Sequence, residues 1–311
     1  MVLEYIAVMG FPQMENLIAM LRNTSLDSRS RARRLDIVTL RQGLDPSQVI
    51  RPFLELLSLL PNLEVLHIGD WFVTVLEDDE ALGAHITQYL PRIKRLNCHH
   101  VGSAGYFSPI ISRYTHLVGL QSFAGFWATS QIDKIENKTL TTLVLTFLSV
   151  ADLPLHGIRL PALRHLEAGH LGDNKAGLLR FLDRHGPQLA SISLGYDRQS
   201  DELEKEILDR CPFVDEFLRD ASYPPTEQLS DTYPTITRFG LTGSKPPTVE
   251  YIHDVYHLDR FPNLNIIRLL YIEYQPPPQR YNRETMESVA DSRRRVMLED
   301  VHGSPIPGND A

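Results

Sequence analysis

The sequence predicts an α/β fold built from many short parallel strands joined by helices and turns, and two observations predict it. First, 45 of the 311 residues, about one in seven, are leucine. Second, the leucines recur in a phrase of the form L-x-x-L-x-L, and a proline often stands two residues before it. A sequence repeat with a period of about 20 to 50 residues is typical of repeat proteins, in which each copy folds into one structural unit.

The phrase recurs along most of the chain. The clearest copies span residues 60–68 (LPNLEVLHI) and 160–168 (LPALRHLEA). With the weaker copies, the first leucine slot falls at 3, 32, 63, 93, 117, 140, 163, 189, 214, 236 and 264, at intervals of 22 to 31 residues. Proline stands two residues before the slot, in phase, at 61, 91, 161, 187, 212, 234 and 262. Random leucine enrichment would not place prolines in phase.

Each unit predicts one strand and, in several units, one helix. We number the phrase from its first leucine, so that positions 1, 4 and 6 are apolar; positions 4 and 6 lie two apart, as one face of a strand requires. Apolar stripes predict helices over 48–60, 78–90, 173–185 and 200–211, each ended near a proline. Because one unit cannot bury its apolar face alone, neighbours must stack.

The predicted fold is therefore an irregular leucine-rich-repeat solenoid of about 10–11 repeats over residues 1–274. It is expected to be curved, with the strands on the concave face and the helices on the convex face. Residues 275–279 (QPPPQ) predict a stiff proline-rich breaker. A helix over 283–296, with Met297 on its apolar side, is expected to cap the last repeat, and a disordered tail follows.

Composition and charge argue against several classes. Only two cysteines, Cys98 and Cys211, argue against a disulfide scaffold. The net charge of −8 argues against broad nucleic-acid binding. No apolar run approaches the roughly 20 residues of a membrane span, and Glu4 interrupts the apolar opening without a basic region before it. We expect a cytoplasmic or nuclear protein that binds neither membrane nor nucleic acid.

The phrase with its proline, the irregular spacing and the ending Leu298-Glu299-Asp300-x-x-Gly303 resemble the leucine-rich-repeat region of fungal F-box/LRR-type proteins. The resemblance covers roughly residues 30–303. It implies a non-enzymatic protein–protein interaction module, like the substrate-recognition part of a ubiquitin-ligase receptor. No F-box is found in the sequence, so we expect that no Skp1-type adaptor binds. The alternative is a free-standing scaffold or a small-GTPase regulator.

Side chains at positions 3, 5 and 7 of each copy are expected on the concave face, because side chains alternate along a strand. Aromatic residues in the loops after the strands would form its rim, since exposed aromatics and arginines serve as binding anchors. We expect a protein partner to contact Trp71, Arg95, Asn97, His99, Gln121, Trp127, His165, Glu167, Tyr196, Arg238 and Arg268. The alternative for Trp71 and Trp127 is that they close the edge of the core.

The sequence was also inspected for enzyme and metal chemistry. His253 and His257 have the i, i+4 spacing of metal ligands with Asp254 between them, but no third ligand is evident. Cys98 occupies a leucine slot, which predicts a buried core residue rather than a ligand. No nucleophile elbow, P-loop or dinucleotide motif occurs. We expect no catalytic residue, no metal and no cofactor.

Overall fold

The computed structural model describes residues 4–37, 46–68, 92–103, 117–126, 135–145, 158–169, 175–195, 201–220, 231–243, 260–271 and 297–299. The chain divides into two compact units, Met1–Leu163 and Arg164–Ala311. Each unit is mixed α/β with parallel strands. The boundary falls inside the seventh copy of the phrase, and the arrangement of residues 1–274 as one solenoid stays a prediction.

The first unit has helices between its early strands. Its described elements are β1 (Tyr5–Val8), α1 (Phe11–Arg22), α2 (Leu26–Arg29), β2 (Arg34–Ile37), α3 (Pro46–Ser58), β3 (Val65–Ile68), β4 (Arg95–Ser103), β5 (Gly119–Phe126), β6 (Ile135–Glu136), β7 (Thr142–Leu145) and β8 (Ile158–Arg159). The main sheet has the order β1-β2-β3-β4-β5-β7, and its pairs are parallel. Strands β6 and β8 form a separate parallel pair.

The second unit repeats the same plan. Its described elements are β9 (His165–Ala168), α4 (Lys175–His185), a 3₁₀ turn (Gly186–Gln188), β10 (Ser191–Leu194), α5 (Asp201–Arg210), β11 (Glu216–Asp220), β12 (Arg238–Gly243), β13 (Ile266–Tyr271) and β14 (Met297–Glu299). The sheet follows chain order from β9 to β14, with every pair parallel.

The eleven predicted strands are confirmed. In each copy of the phrase the strand begins two residues after the first leucine slot, as at Val65 after Leu63 and at His165 after Leu163. The register pairs equivalent positions of successive copies, for example Leu35 with Leu66 and Leu66 with Leu96. Between β4 and β5 the register shifts after Cys98. Because equivalent positions pair at the start of each strand, the differences in repeat length lie in the segments between the strands.

The in-phase proline has a structural reason. The N–H of Leu63 donates to the carbonyl of Leu60 at 3.3 Å, which closes a turn with Pro61 at its second position. The same bond closes the turns before β9, β10, β11, β12 and β13. Proline suits this position because its φ is fixed near the value that a turn needs there and its missing N–H is not used. The proline thus sets the entry of the strands that it precedes.

Successive repeats are also tied by side chains at equivalent positions. The Nδ2 of Asn62 donates to the carbonyl of Ser30 at 2.9 Å, and the Nδ2 of Asn263 donates to the carbonyl of Pro234 at 2.8 Å. Both asparagines follow the proline of the turn and reach back one repeat. Both bonds therefore lie at the entry end of the strands, before β3 and before β13.

The hydrophobic core is formed where the side chains at strand positions 4 and 6 pack against the apolar stripes of the helices. In α3, predicted over 48–60, the buried stripe has i, i+4, i+7, i+8 spacing and consists of Val49, Phe53, Leu56 and Leu57. Helices α4 and α5 confirm the predictions over 173–185 and 200–211. The helix predicted over 78–90 lies outside the described residues. Burying one such large side chain contributes about 1.5 to 3 kcal/mol.

The described residues contain three strands that the repeat count missed, β6, β8 and β14, and the last of them extends the parallel sheet. Strand β14 pairs in parallel with β13, with Leu298 opposite Ile267. Met297, expected on the apolar side of a helix, therefore belongs to a strand that continues the sheet. The predicted helix over 283–296 lies outside the described residues. A three-residue strand after a long proline-rich interval has too little periodicity to be found from sequence alone.

Candidate interaction surface

One face of each sheet stays open to solvent. Along β3, β7 and β9 the burial alternates, with positions 4 and 6 buried and positions 3 and 5 partly or fully exposed. A parallel sheet covered on both faces would instead be apolar throughout. We call the side chains at positions 3 and 5 the open face of each unit.

At the start of the first unit, the open face carries a compact polar cluster. Asp36 accepts hydrogen bonds from Nε and Nη2 of Arg34, at 2.9 and 2.8 Å, and from Oη of Tyr5 at 3.0 Å. The guanidinium of Arg34 also lies over the Tyr5 ring, 5.3 Å from its centroid. Burial opposes ionisation of Asp36, but the bonds from Arg34 and Tyr5 outweigh it and hold the pKa of Asp36 below its ordinary value.

Further along this unit, Arg95 and Asn97 lie two residues apart on β4, so they share the open face. Arg95 is exposed and Asn97 is half-buried. A Cβ built on Gly119 would lie 3.4 Å from Cγ of Arg95, so the stem of the arginine covers the glycine of the next strand. The guanidinium of Arg95 is thereby carried over the neighbouring strand rather than out from its own.

In the second unit the open face forms two rows across the strands. The row at position 3 contains His165, Ser191, Glu216, Arg238 and Ile266 in register. The row at position 5 contains Glu167, Ser193, Leu218, Gly240 and Arg268 in register. Four of the five predicted contact residues of this unit, His165, Glu167, Arg238 and Arg268, therefore lie on one surface.

Two charges of this surface neutralise each other. The Nη1 of Arg268 donates to Oε1 of Glu216 at 2.6 Å, across the intervening strand β12. The Leu218 side chain covers Gly240 in that strand, since a Cβ there would lie 2.9 Å from Cδ2 of Leu218. A predicted contact residue is thus held in an internal ion pair.

Two other charges remain unpaired within the described part of the chain. Glu167 and Arg238 are both exposed, and no described side chain forms a hydrogen bond or an ion pair with either. Although Glu167 reaches solvent, the surrounding atoms of the sheet remove part of its hydration and raise the pKa of its carboxyl. A positively charged partner group would find an incompletely hydrated carboxylate there.

The remaining predicted contact residues are only partly placed. His99 lies in β4 and Gln121 in β5, opposite Asn97, but the structure describes their backbone alone. Trp71, Trp127 and Tyr196 lie outside the described residues, so the predicted aromatic rim is untested. The rows of the open face were predictable from the alternation of side chains, whereas the ion pair was not.

Sequence reasoning also missed a charged cluster on the buried side. Position 6 of β11, a leucine slot, holds Arg219, which donates to Oε2 of the buried Glu204. Arg260 donates from Nη1 to the other carboxylate oxygen of Glu204 at 3.1 Å. The Arg260 guanidinium lies 5.3 Å from the ring centroid of Tyr233 and 5.6 Å from that of Phe261. An arginine in the slot of an apolar residue was the available signal.

Neither metal nor membrane chemistry emerges from the described ranges. They contain no cluster of three or more histidine, cysteine, aspartate or glutamate side chains able to hold a metal ion. They also contain no helix long and apolar enough to cross a bilayer. His253 and His257 lie outside these ranges, and only the backbone of 98–100 falls within them.

Comparison with known proteins finds similarity to solved structures. No protein-family model and no curated protein matches the chain. The chain is similar to the leucine-rich repeat-containing protein LegL7 from Legionella pneumophila, with 15% identity and a TM-score of 0.46 over 96% of this chain and 82% of that chain.

It is also similar to TLR13 in the TLR13–ssRNA13 complex, with 11% identity and a TM-score of 0.41 over 89% of this chain. That alignment covers only 41% of the TLR13 chain. Likenesses with TM-scores of this size carry no argument about function.

Proposed function

We propose that this protein is a non-enzymatic protein-interaction module whose partner docks on the open faces of its sheets. The observation that carries the proposal is the open face of the second unit. It brings side chains from five consecutive strands, charged and polar at most positions, into two registered rows. A polar, exposed sheet face built from separate repeats offers a broad binding surface without any reactive centre.

The contact residues of the proposal are those on the open faces and the aromatic residues expected at their rim. Arg95 and Asn97 represent the first unit, and His165, Glu167 and Arg238 the second. Their mixed charge favours a protein partner over nucleic acid, because phosphate backbones need a clustered positive field. Arg268 contributes less directly, since Glu216 already holds it.

Affinity purification of the full chain from its native cell, followed by identification of the bound proteins, tests the proposal. The bait is compared with an Arg95→Ala/His165→Ala variant and with a matched Arg180→Ala/Glu202→Ala variant, whose residues are exposed on α4 and α5. We expect a partner that the open-face variant loses and the helix variant keeps. A partner retained equally by both variants would place the binding surface elsewhere.

The finer role that we propose is substrate recognition of the kind found in F-box/LRR ubiquitin-ligase receptors. What supports it is the resemblance of the phrase and its spacing to those proteins. The alternative is a scaffold or small-GTPase regulator that acts without a ligase. Co-purification of a Skp1-type adaptor would favour the first role, and acceleration of GTP hydrolysis by a bound small GTPase would favour the second.

A further inference from the structure

We propose that the edge of the first unit at which the strands begin binds an acidic segment of a partner protein, one that carries at least two carboxylates close together. The residues of this edge are Arg33, Asn62, Glu64, Arg92 and Lys94, which we call the basic edge cluster. They precede the strands and lie outside the rows at positions 3 and 5. The inference shares with the proposed function only that the partner is a protein.

The stacking of three turns brings the charged residues of the cluster together. Arg33, Glu64 and Lys94 each occupy position 2 of their copy, directly before β2, β3 and β4. The N–H of Glu64 donates to the carbonyl of Arg33 at 2.8 Å, and the N–H of Lys94 donates to the carbonyl of Glu64 at 2.8 Å. The register of the repeats therefore places one cation on either side of a carboxylate.

The side chains of the cluster hold one another in place. Nη1 of Arg33 donates to Oε1 of Glu64 at 3.2 Å and to the carbonyl of Asn62 at 3.3 Å. Nζ of Lys94 donates to Oε2 of Glu64 at 2.8 Å. Nη1 of Arg92 donates to Oδ1 of Asn62 at 2.6 Å. Because these bonds orient the cations before a ligand arrives, binding costs less side-chain freedom.

The cluster keeps an excess of positive charge. Three cations against the single carboxylate of Glu64 leave a net charge of +2. The bond from Lys94 holds the pKa of Glu64 below its ordinary value, so Glu64 stays ionised at neutral pH. The side chains of Arg33 and Lys94 are 49% and 55% exposed, and among the described residues no second acid pairs with either. A ligand with two carboxylates would neutralise the remaining charge.

The size of the charge favours a protein segment over nucleic acid. The whole chain carries a net charge of −8, which repels a polyphosphate backbone at long range. Nucleic-acid binding depends on many phosphate contacts, whereas this cluster offers three cations and places Glu64 between two of them. An acidic protein segment needs only two carboxylates and can direct them to Arg33 and Lys94, on either side of Glu64.

The second unit provides a matched control for the charge of the cluster. Its residues at position 2 are mostly uncharged, and only one is basic: Arg164, Ala190, Asp215, Thr237 and Asn265. Arg164 is exposed, and its Nη1 donates to the backbone carbonyl of Gln188 at 2.7 Å. Reversing Arg164 therefore changes the net charge of the chain as much as reversing Lys94 does, without altering the cluster.

Fluorescence anisotropy of a labelled oligoglutamate peptide, titrated with the full chain at low salt, tests the inference. The wild type should bind the peptide saturably, and added salt should weaken the binding. Lys94→Glu should weaken it by about tenfold, whereas Arg164→Glu should change it by about twofold or less. Glu64→Gln should tighten it by about threefold, because it removes the one negative charge of the cluster. Side chains that only tie the repeats together would not give effects of opposite sign.

Further variants and probes make the result decisive. Circular dichroism and thermal unfolding identify any variant that fails to fold, and in that case Lys94→Gln and Arg33→Gln replace Lys94→Glu, each with an expected loss of about threefold. The alternative ligand is a phosphate group. An oligouridylate or a phosphoserine peptide that binds more tightly than oligoglutamate, in a way that Lys94→Glu abolishes, would overturn the inference.

The outcomes separate this inference from the proposed function. If oligoglutamate did not bind, or bound equally to the wild type, Lys94→Glu and Glu64→Gln, the inference would be overturned and the open faces would still stand as the docking surface. A native partner that Lys94→Glu loses and Arg95→Ala/His165→Ala retains would support the inference and overturn the placement of that partner on the open faces.

Discussion

Arg260 and Glu204 form a buried ion pair, with Nη1 of the arginine 3.1 Å from Oε1 of the glutamate, although the two residues are 56 positions apart in the chain. Both side chains are almost completely buried, with relative exposures of 6% and 4%. Arg219 binds the second carboxylate oxygen, so one buried carboxylate holds two guanidinium groups. The pair joins helix α5 to the turn before β13, across the stack of repeats.

Removing the shared carboxylate is therefore expected to be costly. Glu204→Gln should lower the free energy of unfolding by about 3 to 5 kcal/mol, because it leaves two buried guanidinium groups without a counter-charge. Glu202→Gln, on the exposed part of the same helix, is the matched control and should change stability by about 0.5 kcal/mol or less. Urea unfolding followed by circular dichroism measures both, and equal effects would contradict the network.

The ion pair on the open face is expected to be weaker but measurable. Glu216→Gln and Arg268→Gln, alone and together, form a double-mutant cycle with an expected coupling of about 1 to 2 kcal/mol. The expected coupling energy lies between the values for exposed and buried ion pairs, because the side chains of Glu216 and Arg268 are 14% and 29% exposed. Urea unfolding of the four proteins gives the value, and a coupling near zero would show that solvent screens the pair.

A glycine is required at position 186 because the backbone of Arg210 approaches it too closely for a side chain. A Cβ at this position would lie 2.2 Å from the carbonyl oxygen of Arg210, and backbone cannot move aside as a side chain can. Gly186→Ala should destabilise the protein by about 3 kcal/mol. The control is Gly119→Ala, whose Cβ would meet Arg95 at an ordinary 3.4 Å and should change stability by about 1 kcal/mol or less. Thermal and urea unfolding that rank the two variants in the opposite order would contradict this packing.

The hydrogen bonds of Asp36 with Arg34 and Tyr5 are expected to make the protein less stable as the pH falls. Because the pKa of Asp36 is lowered in the folded state, its ionised form stabilises the protein at pH values above the ordinary value of 3.8. That contribution is lost as the pH falls through the lowered pKa. The gap in unfolding free energy between wild type and Asp36→Asn should be largest near pH 7 and shrink below pH 3.8. In an Arg34→Gln background the gap should be smaller at every pH.

Much of the architecture was predictable because it depends on local periodicity. Residues two apart on a strand share a face, so the leucine slots of residues 63–68 already identified the buried and open sides of β3. Where a proline precedes the phrase, as at seven of the eleven copies, it predicted the start of the strand, since its fixed φ suits only a few positions of a turn. The placement of His165, Glu167 and Arg238 on one surface followed from the same spacing.

The charge pairing was not predictable, because it joins residues of different repeats. Intervals of 22 to 31 residues give no measure of which side chains meet when the repeats stack. Arg268 was expected to be free for a partner, yet the register across β12 brings it to Glu216. Arg219 occupies a leucine slot as a charged residue, and its ion pair with the buried Glu204 neutralises it there.

The sequence by itself determined which residues form strands, which turns precede them and which side chains point outward, because those properties depend on neighbours a few residues apart. The tertiary structure decided which outward charges neutralise each other, such as Glu216 and Arg268. It also decided that one carboxylate supports two buried arginines. These properties depend on contacts 15 to 56 residues apart in the chain, which only the parallel register of the strands and the docking of the helices create.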